Sequence, residues 1–159
     1  MRAGTLIAAV LAVIVAQMAL AIPAVLNGLF QQDLATSSAQ LTWISDSFLV
    51  PVCVLELTFG VIGDLFGRKR LLVGGGALLV VGEALAAAST GIHMLWVGQA
   101  IAGLGAAALF PTSLAMIAAG THSAKDRART ITIWAAALSS GGFVAPVLGG
   151  ITGNYGSWR

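Results

Sequence analysis

The sequence predicts an all-α protein that crosses a membrane five times with its N-terminus in the cytoplasm, and three observations predict it. Of the 159 residues, 58% are apolar and only 9% charged, with a mean hydropathy of +0.94, whereas a water-soluble domain carries charge at roughly a quarter of its positions. The apolar residues fall in long unbroken runs without the alternation of barrel strands, and hydrocarbon admits only helices or closed barrels because every backbone N–H and C=O must be paired within the protein. Finally, the basic residues fall in alternate connectors, as the orientation of a multi-spanning chain requires.

A span needs about 20 mostly apolar residues, which places the helices at residues 6–29, 43–62, 71–88, 93–118 and 131–151. The first follows Arg2 and ends before a polar segment at 31–40. Read alternatively, the first 23 residues form a secretory signal with Ala19-Leu20-Ala21 as the small-x-small cleavage site. The second span ends in a basic connector at 64–70. The third and fourth are joined by a tiny turn at 89–92, and the fourth and fifth by a polar stretch at 121–130. Such short connectors imply antiparallel neighbours in one bundle.

Crossing at every span puts Arg2, Arg68, Lys69, Arg70, Lys125, Arg127 and Arg129 on one side, leaving only Arg159 for the other. That side is cytoplasmic, because Lys and Arg accumulate in cytoplasmic connectors. The basic residues therefore orient the chain, and nucleic-acid binding is not called for despite the net charge of +2. The 20 glycines suit a membrane interior, where small residues let helix backbones approach closely. Gly74-Gly75-Gly76 lies within the third span and reads as packing, and Cys53 as a small buried residue.

The most informative stretch is Gly60-Val61-Ile62-Gly63-Asp64-Leu65-Phe66-Gly67-Arg68-Lys69-Arg70. Gly60, Gly63 and Gly67 recur at helical spacing and form a smooth face, while Asp64 beside a basic turn can make charge-assisted bonds in one conformation and release them in another. The bland reading is a basic cluster at the anionic cytoplasmic surface. The stretch resembles the signature loop of the major facilitator superfamily, G-x-L-a-D-r-x-G-r-k, with Gly60, Asp64, Gly67, Arg68 and Lys69 matching and Leu65 departing. The resemblance implies a conformational switch in a transporter built of two six-helix halves.

Two further stretches resemble motifs of that family. In the fourth span Gln99-Ala100-Ile101-Ala102-Gly103-Leu104-Gly105-Ala106-Ala107 is similar to R-x-x-q-G-x-G-a-a, with Gln99 at the arginine position that the family associates with proton coupling. In the fifth, Gly141, Pro146, Gly149 and Gly150 match a motif linked with antiporters that export, with Ala145 replacing a glycine. Residues 40–48 and Ala21-Ile22-Pro23 also resemble the drug:proton antiporter branch, although Ile14 stands near the place where that branch carries an aspartate. The resemblance covers essentially the whole chain and implies the first five helices of the major facilitator fold: residues 1–159 as a partial N-terminal bundle, five of an expected six helices, with the C-terminal half absent. Gly156-Ser157-Trp158-Arg159 resembles the junction to the sixth helix, so a truncated reading frame or partial gene model is expected.

Ionisable groups within spans are expensive and mark cavities or partners. Glu56 shares a helical face with Gly60 and Gly63 and ranks first as a carboxylate that could exchange a proton or meet a cationic substrate. Glu83 ranks below it, since the third helix is peripheral in the family; Asp46 lies near the outer end of the second span, and Gln17 and Gln99 are amide candidates. No cofactor or metal is called for, and no arrangement of nucleophile, base and orienter points to an enzyme. The expected partners are the lipid bilayer of the plasma membrane, an unidentified small-molecule substrate, protons, and the remaining transporter helices or another subunit. The expected activity is proton-coupled export of small molecules or drugs by alternating access in the complete protein. The alternative is a freestanding small membrane protein that assembles through glycine faces such as Gly149-x-x-x-Gly153.

Overall fold

Each apolar run forms one helix in the computed structural model, which describes residues 3–121, 123–154 and 158. The helices are α1 (Ala3–Leu34), α2 (Ser38–Phe66), α3 (Arg68–Ala87), α4 (Ile92–Ala119) and α5 (Ala124–Asn154). All five are long and apolar enough to cross a membrane. Arg2 and Arg159 lie outside the described residues.

The helices extend well past the apolar runs, and this corrects the expected connectors. Between α1 and α2 only residues 35–37 are non-helical rather than 31–40, and Gly67 alone separates α2 from α3. The reason is capping. Ser37 heads α2 with its hydroxyl accepting from the Gln40 N–H at 3.4 Å, while Gln40 Oε1 accepts from the Ser37 N–H at 2.9 Å. At the start of α5 Ser123 Oγ likewise accepts from the Asp126 N–H, at 3.0 Å, but here the Asp126 side chain takes the cap's hydroxyl, at 2.8 Å, and not its N–H. Reciprocal caps satisfy N–H groups that water would otherwise bind, so polar residues join the helix instead of ending it. The 32 residues of α1 extend about 48 Å against a hydrocarbon core of about 30 Å, so the helix ends project into the headgroup layers.

Helix α4 is the most deeply buried element, packing chiefly on α3 and α2, while α1 packs chiefly on α5. Small residues make the closest approaches. A Cβ on Gly98 would lie 2.6 Å from the Ala86 backbone nitrogen and one on Gly75 would lie 2.9 Å from Ala108 Cβ; one on Gly82 would overlap the Ala102 backbone, and one on Gly103 the Phe48 carbonyl. Gly74 and Gly76 face open space, so only the middle glycine of the triplet packs. On α5, Gly141, Gly149 and Gly153 lie against Ile14, Val25 and Leu29 of α1. The Gly149-x-x-x-Gly153 face is thus engaged within the chain.

One apolar core draws on all five helices around Val13, Phe48, Leu79, Ala106 and Ala137, and a second, around Leu26, Phe30, Ile44 and Leu95, lies towards the opposite end from the basic residues. Many other apolar side chains face outward, Leu57 being 85% and Phe143 80% exposed, and Cys53 is exposed rather than buried. A surface this apolar is stable only against lipid or further protein.

Candidate functional site

The basic residues converge at one end of the bundle. Arg68, Lys69 and Arg70 open α3 where α2 ends, Lys69 shares a cavity with Gly4, Thr5 and Met116, and Arg129 shares another with Leu6, Gly120 and Asp126. The start of α1, the α2–α3 junction and the α4–α5 junction are therefore at the same end, as alternate crossing requires, and the positive-inside bias makes it the cytoplasmic end.

At this end Asp64 occupies the last turn of α2 and Arg68 the first turn of α3, each at the helix terminus that disfavours its charge. They neutralise one another. Arg68 Nη2 and Nε reach Asp64 Oδ1 at 2.7 and 2.8 Å, and Nη1 donates to the Ala115 carbonyl of α4 at 2.6 Å. One guanidinium thus ties three helices, which its planar fork of donors allows and a lysine ammonium would not reproduce. Gly67 makes the junction possible, because its φ of 101° lies where a side chain is strained. Gly60 and Gly63 supply the smooth face: a Cβ on Gly60 would meet Pro111 at 3.9 Å, and one on Gly63 would meet Leu71 at 3.3 Å and Thr112 at 3.6 Å. Lys69 is exposed beside the clasp.

The remaining candidates fall in different places. Gln17 lies in the α1–α5 seam, where a Cβ on Gly141 would approach its Cβ to 2.9 Å. In the fifth-helix motif Gly141 and Gly149 are buried, whereas Pro146 and Gly150 are exposed. Glu56 and Asp46 are half-buried on α2.

Glu83 and Gln99 come together across the α3–α4 seam. Gln99 is 1% exposed and lines the same small cavity as Glu83. Among the described residues, Oε1 of each side chain is buried without a partner. Glu83 lines two cavities, an open one of about 300 Å³ among apolar residues of α1 and α3, the other of about 70 Å³ shared with Gln99, Pro23, Phe30 and Trp158. The tiny turn between the third and fourth spans held the signal for this pairing. In a tight antiparallel hairpin, residues at nearly equal distances from the turn face each other, and Glu83 and Gln99 stand so on either side of it.

Tryptophan indoles, which sequence reasoning passed over, form two ties between helices and one from the non-helical Trp158 to α1: Trp96 Nε1 donates to the Gln40 carbonyl at 3.2 Å, Trp134 Nε1 to Ser113 Oγ at 3.0 Å, and Trp158 Nε1 to Asp33 Oδ2 at 2.7 Å. Their signal was composition, since an indole has one donor that must find an acceptor when buried. Trp158 also packs edge-on against Phe30, ring centroids 5.0 Å apart.

Known proteins resemble the chain along most of its length. It is 33% identical over 129 residues to the methylenomycin A resistance protein of Bacillus subtilis, covering 81% of this chain and 28% of that protein. The identity is also 33% over 129 residues to the multidrug resistance protein Stp of Mycobacterium tuberculosis, covering 81% and 24%, and 32% over 130 residues to the multidrug efflux pump LfrA of Mycolicibacterium smegmatis, covering 82% and 26%. The chain thus spans about a quarter of the length of the curated relatives it matches. The sequence pattern described as Major Facilitator Superfamily matches residues 7–159, and with five long apolar helices and the basic junction at their cytoplasmic end, the chain belongs to that family of membrane transporters.

Proposed function

We propose that this chain supplies the first helices of an exporter of small molecules or drugs that works by alternating access and is coupled to protons. The observation that carries this reading is the three-helix clasp of Asp64, Arg68 and the Ala115 carbonyl. It lies at the cytoplasmic end, is held by contacts rather than by a packed core, and includes an aspartate that is 60% exposed. Such a clasp can open when the cytoplasmic ends of α2 and α4 separate and reform when they close, which is what rocking around a central site requires. Gly60, Gly63 and Gly67 let the elements slide, and Lys69 adds to the positive field.

Export as the direction is supported by the small-residue seam of Gly141 and Gly149 against α1, with Pro146 free to bend α5, and by relatives named for drug resistance and efflux. Glu56, Glu83 and Asp46 are the carboxyls from which coupling would draw, with Gln17 and Gln99 as polar positions beside them. The remaining partners are further transporter helices and the lipid bilayer. Self-assembly through Gly149 and Gly153 is less favoured, since α1 already fills that face.

The test is transport by the whole reading frame that contains these codons, in cells stripped of their own drug pumps and loaded with ethidium. Efflux that a proton ionophore stops, and that Arg68→Ala lowers severalfold, is the expected result. The 159 residues alone are expected not to transport. Ethidium retention equal to that of empty cells for every small-molecule probe tried would overturn the reading.

A further inference from the structure

Two buried acceptors on the wall of one small cavity receive no donor from the described residues: Oε1 of Glu83 and Oε1 of Gln99. An unsatisfied buried oxygen costs about 1–3 kcal/mol, so a site holding two of them is built to receive a donor. Its walls supply none. The small cavity receives Ile22, Pro23, Leu26 and Phe30 from α1 and Leu95 from α4, none of which has a side-chain donor or titrates. Trp158 also lines it, and its indole donates to Asp33. From α3 itself Ala86 and Ala87 face the same space. The basic residues of α3 lie at the opposite end of the helix, and His93 is exposed on the first turn of α4.

The smallest donor that satisfies both oxygens is one proton. A proton on Glu83 Oε1 would make a hydroxyl able to donate to Gln99 Oε1, on the wall of the same cavity. An amide accepts as well as donates, so by turning over about its last torsion Gln99 can give an N–H to the carboxylate or take a hydrogen bond from the carboxylic acid. We infer that Glu83 and Gln99 form a reversible proton-binding site inside the helix bundle, with Gln99 as a positioning residue that bonds both protonation states. In uptake an O–H bond forms at Glu83 with a proton from water and the carboxylate loses its charge; release is the reverse. The inference takes its purpose from the proton-coupled reading above, but its test needs no transport.

The experiment is infrared difference spectroscopy of the chain in phosphatidylcholine vesicles, stepped from alkaline to acidic pH. A carboxylic-acid carbonyl band that shifts in heavy water is expected in the native chain, and Glu83→Gln is expected to remove it while Glu56→Gln does not. Gln99→Leu should move the same band to higher frequency, because the acid loses its acceptor. Gln99→Arg should abolish it across the range, since a guanidinium has donors only and pairs with the carboxylate alone. A native spectrum identical to that of Glu83→Gln at every pH would overturn the inference. So would a band that Gln99→Leu leaves in place, and that readout serves even where Glu83→Gln does not fold. Absence of transport with the band present counts against the export reading alone, and transport with no Glu83 band counts against this site alone.

Discussion

Arg68 shows how one side chain can matter more than the ion pair that marks it in the sequence. An exposed ion pair contributes about 0–1 kcal/mol, and Asp64 is 60% exposed. The bond from Arg68 to the Ala115 carbonyl is less open to water, and a hydrogen bond from a charged donor is worth about 1.5–3 kcal/mol. Removing Asp64 spares that second bond, whereas removing Arg68 ends both. In SDS-induced unfolding Asp64→Asn should therefore cost less than about 1 kcal/mol and Arg68→Ala about 2 kcal/mol. Equal losses from the two variants would mean that the carbonyl contact adds nothing. The residues of this clasp were legible before any coordinates, because glycine, aspartate and arginine at close spacing need only one helix end to meet. The third partner was not, since a backbone carbonyl 47 residues away carries no side-chain signature.

At the scale of elements, the α3–α4 seam separates glycines that pack from those that do not. A Cβ on Gly82 would overlap the Ala102 backbone, which cannot move as a flexible side chain can, whereas Gly76 faces open space. Overpacking a tight contact costs about 1–3 kcal/mol, and replacing an unconstrained helical glycine by alanine gains up to about 1 kcal/mol. Gly82→Ala should therefore destabilise the chain and Gly76→Ala should leave it unchanged or slightly more stable, as measured by helicity against SDS concentration. Matching curves would show that the two helices are not held at this register. The same seam explains the limits of sequence reasoning. The five runs were legible because hydrocarbon demands them, but Ser37 with Gln40 and Ser123 with Asp126 continue helices through residues that look like loops. Glu83 ranks below Glu56 in the sequence because the third helix is peripheral in the family, and its nearness to Gln99 is set by how Gly82 and Gly98 seat α3 on α4.

For the whole molecule, the decisive asymmetry is between its two ends. Cavities beside the first turns of α1 include Lys69 and Arg129, while at the opposite end Trp158 packs on Phe30 and donates to Asp33. A bundle whose basic residues gather at one end inserts with that end in the cytoplasm, and its apolar flanks, Leu57 and Phe143 among them, then meet lipid or further helices. The arrangement makes a sidedness prediction that does not depend on transport. With the one native cysteine removed as Cys53→Ala, single cysteines are introduced as Lys69→Cys, Lys125→Cys and Gln32→Cys, all at exposed positions. In intact cells a membrane-impermeant maleimide should label only the cysteine at position 32. Permeabilising the cells should bring the other two up to the same level. Labelling of position 69 or 125 from outside would reverse the orientation, and labelling of 69 and 125 from opposite sides would break the five-span topology that the loop charges and the helix packing both require.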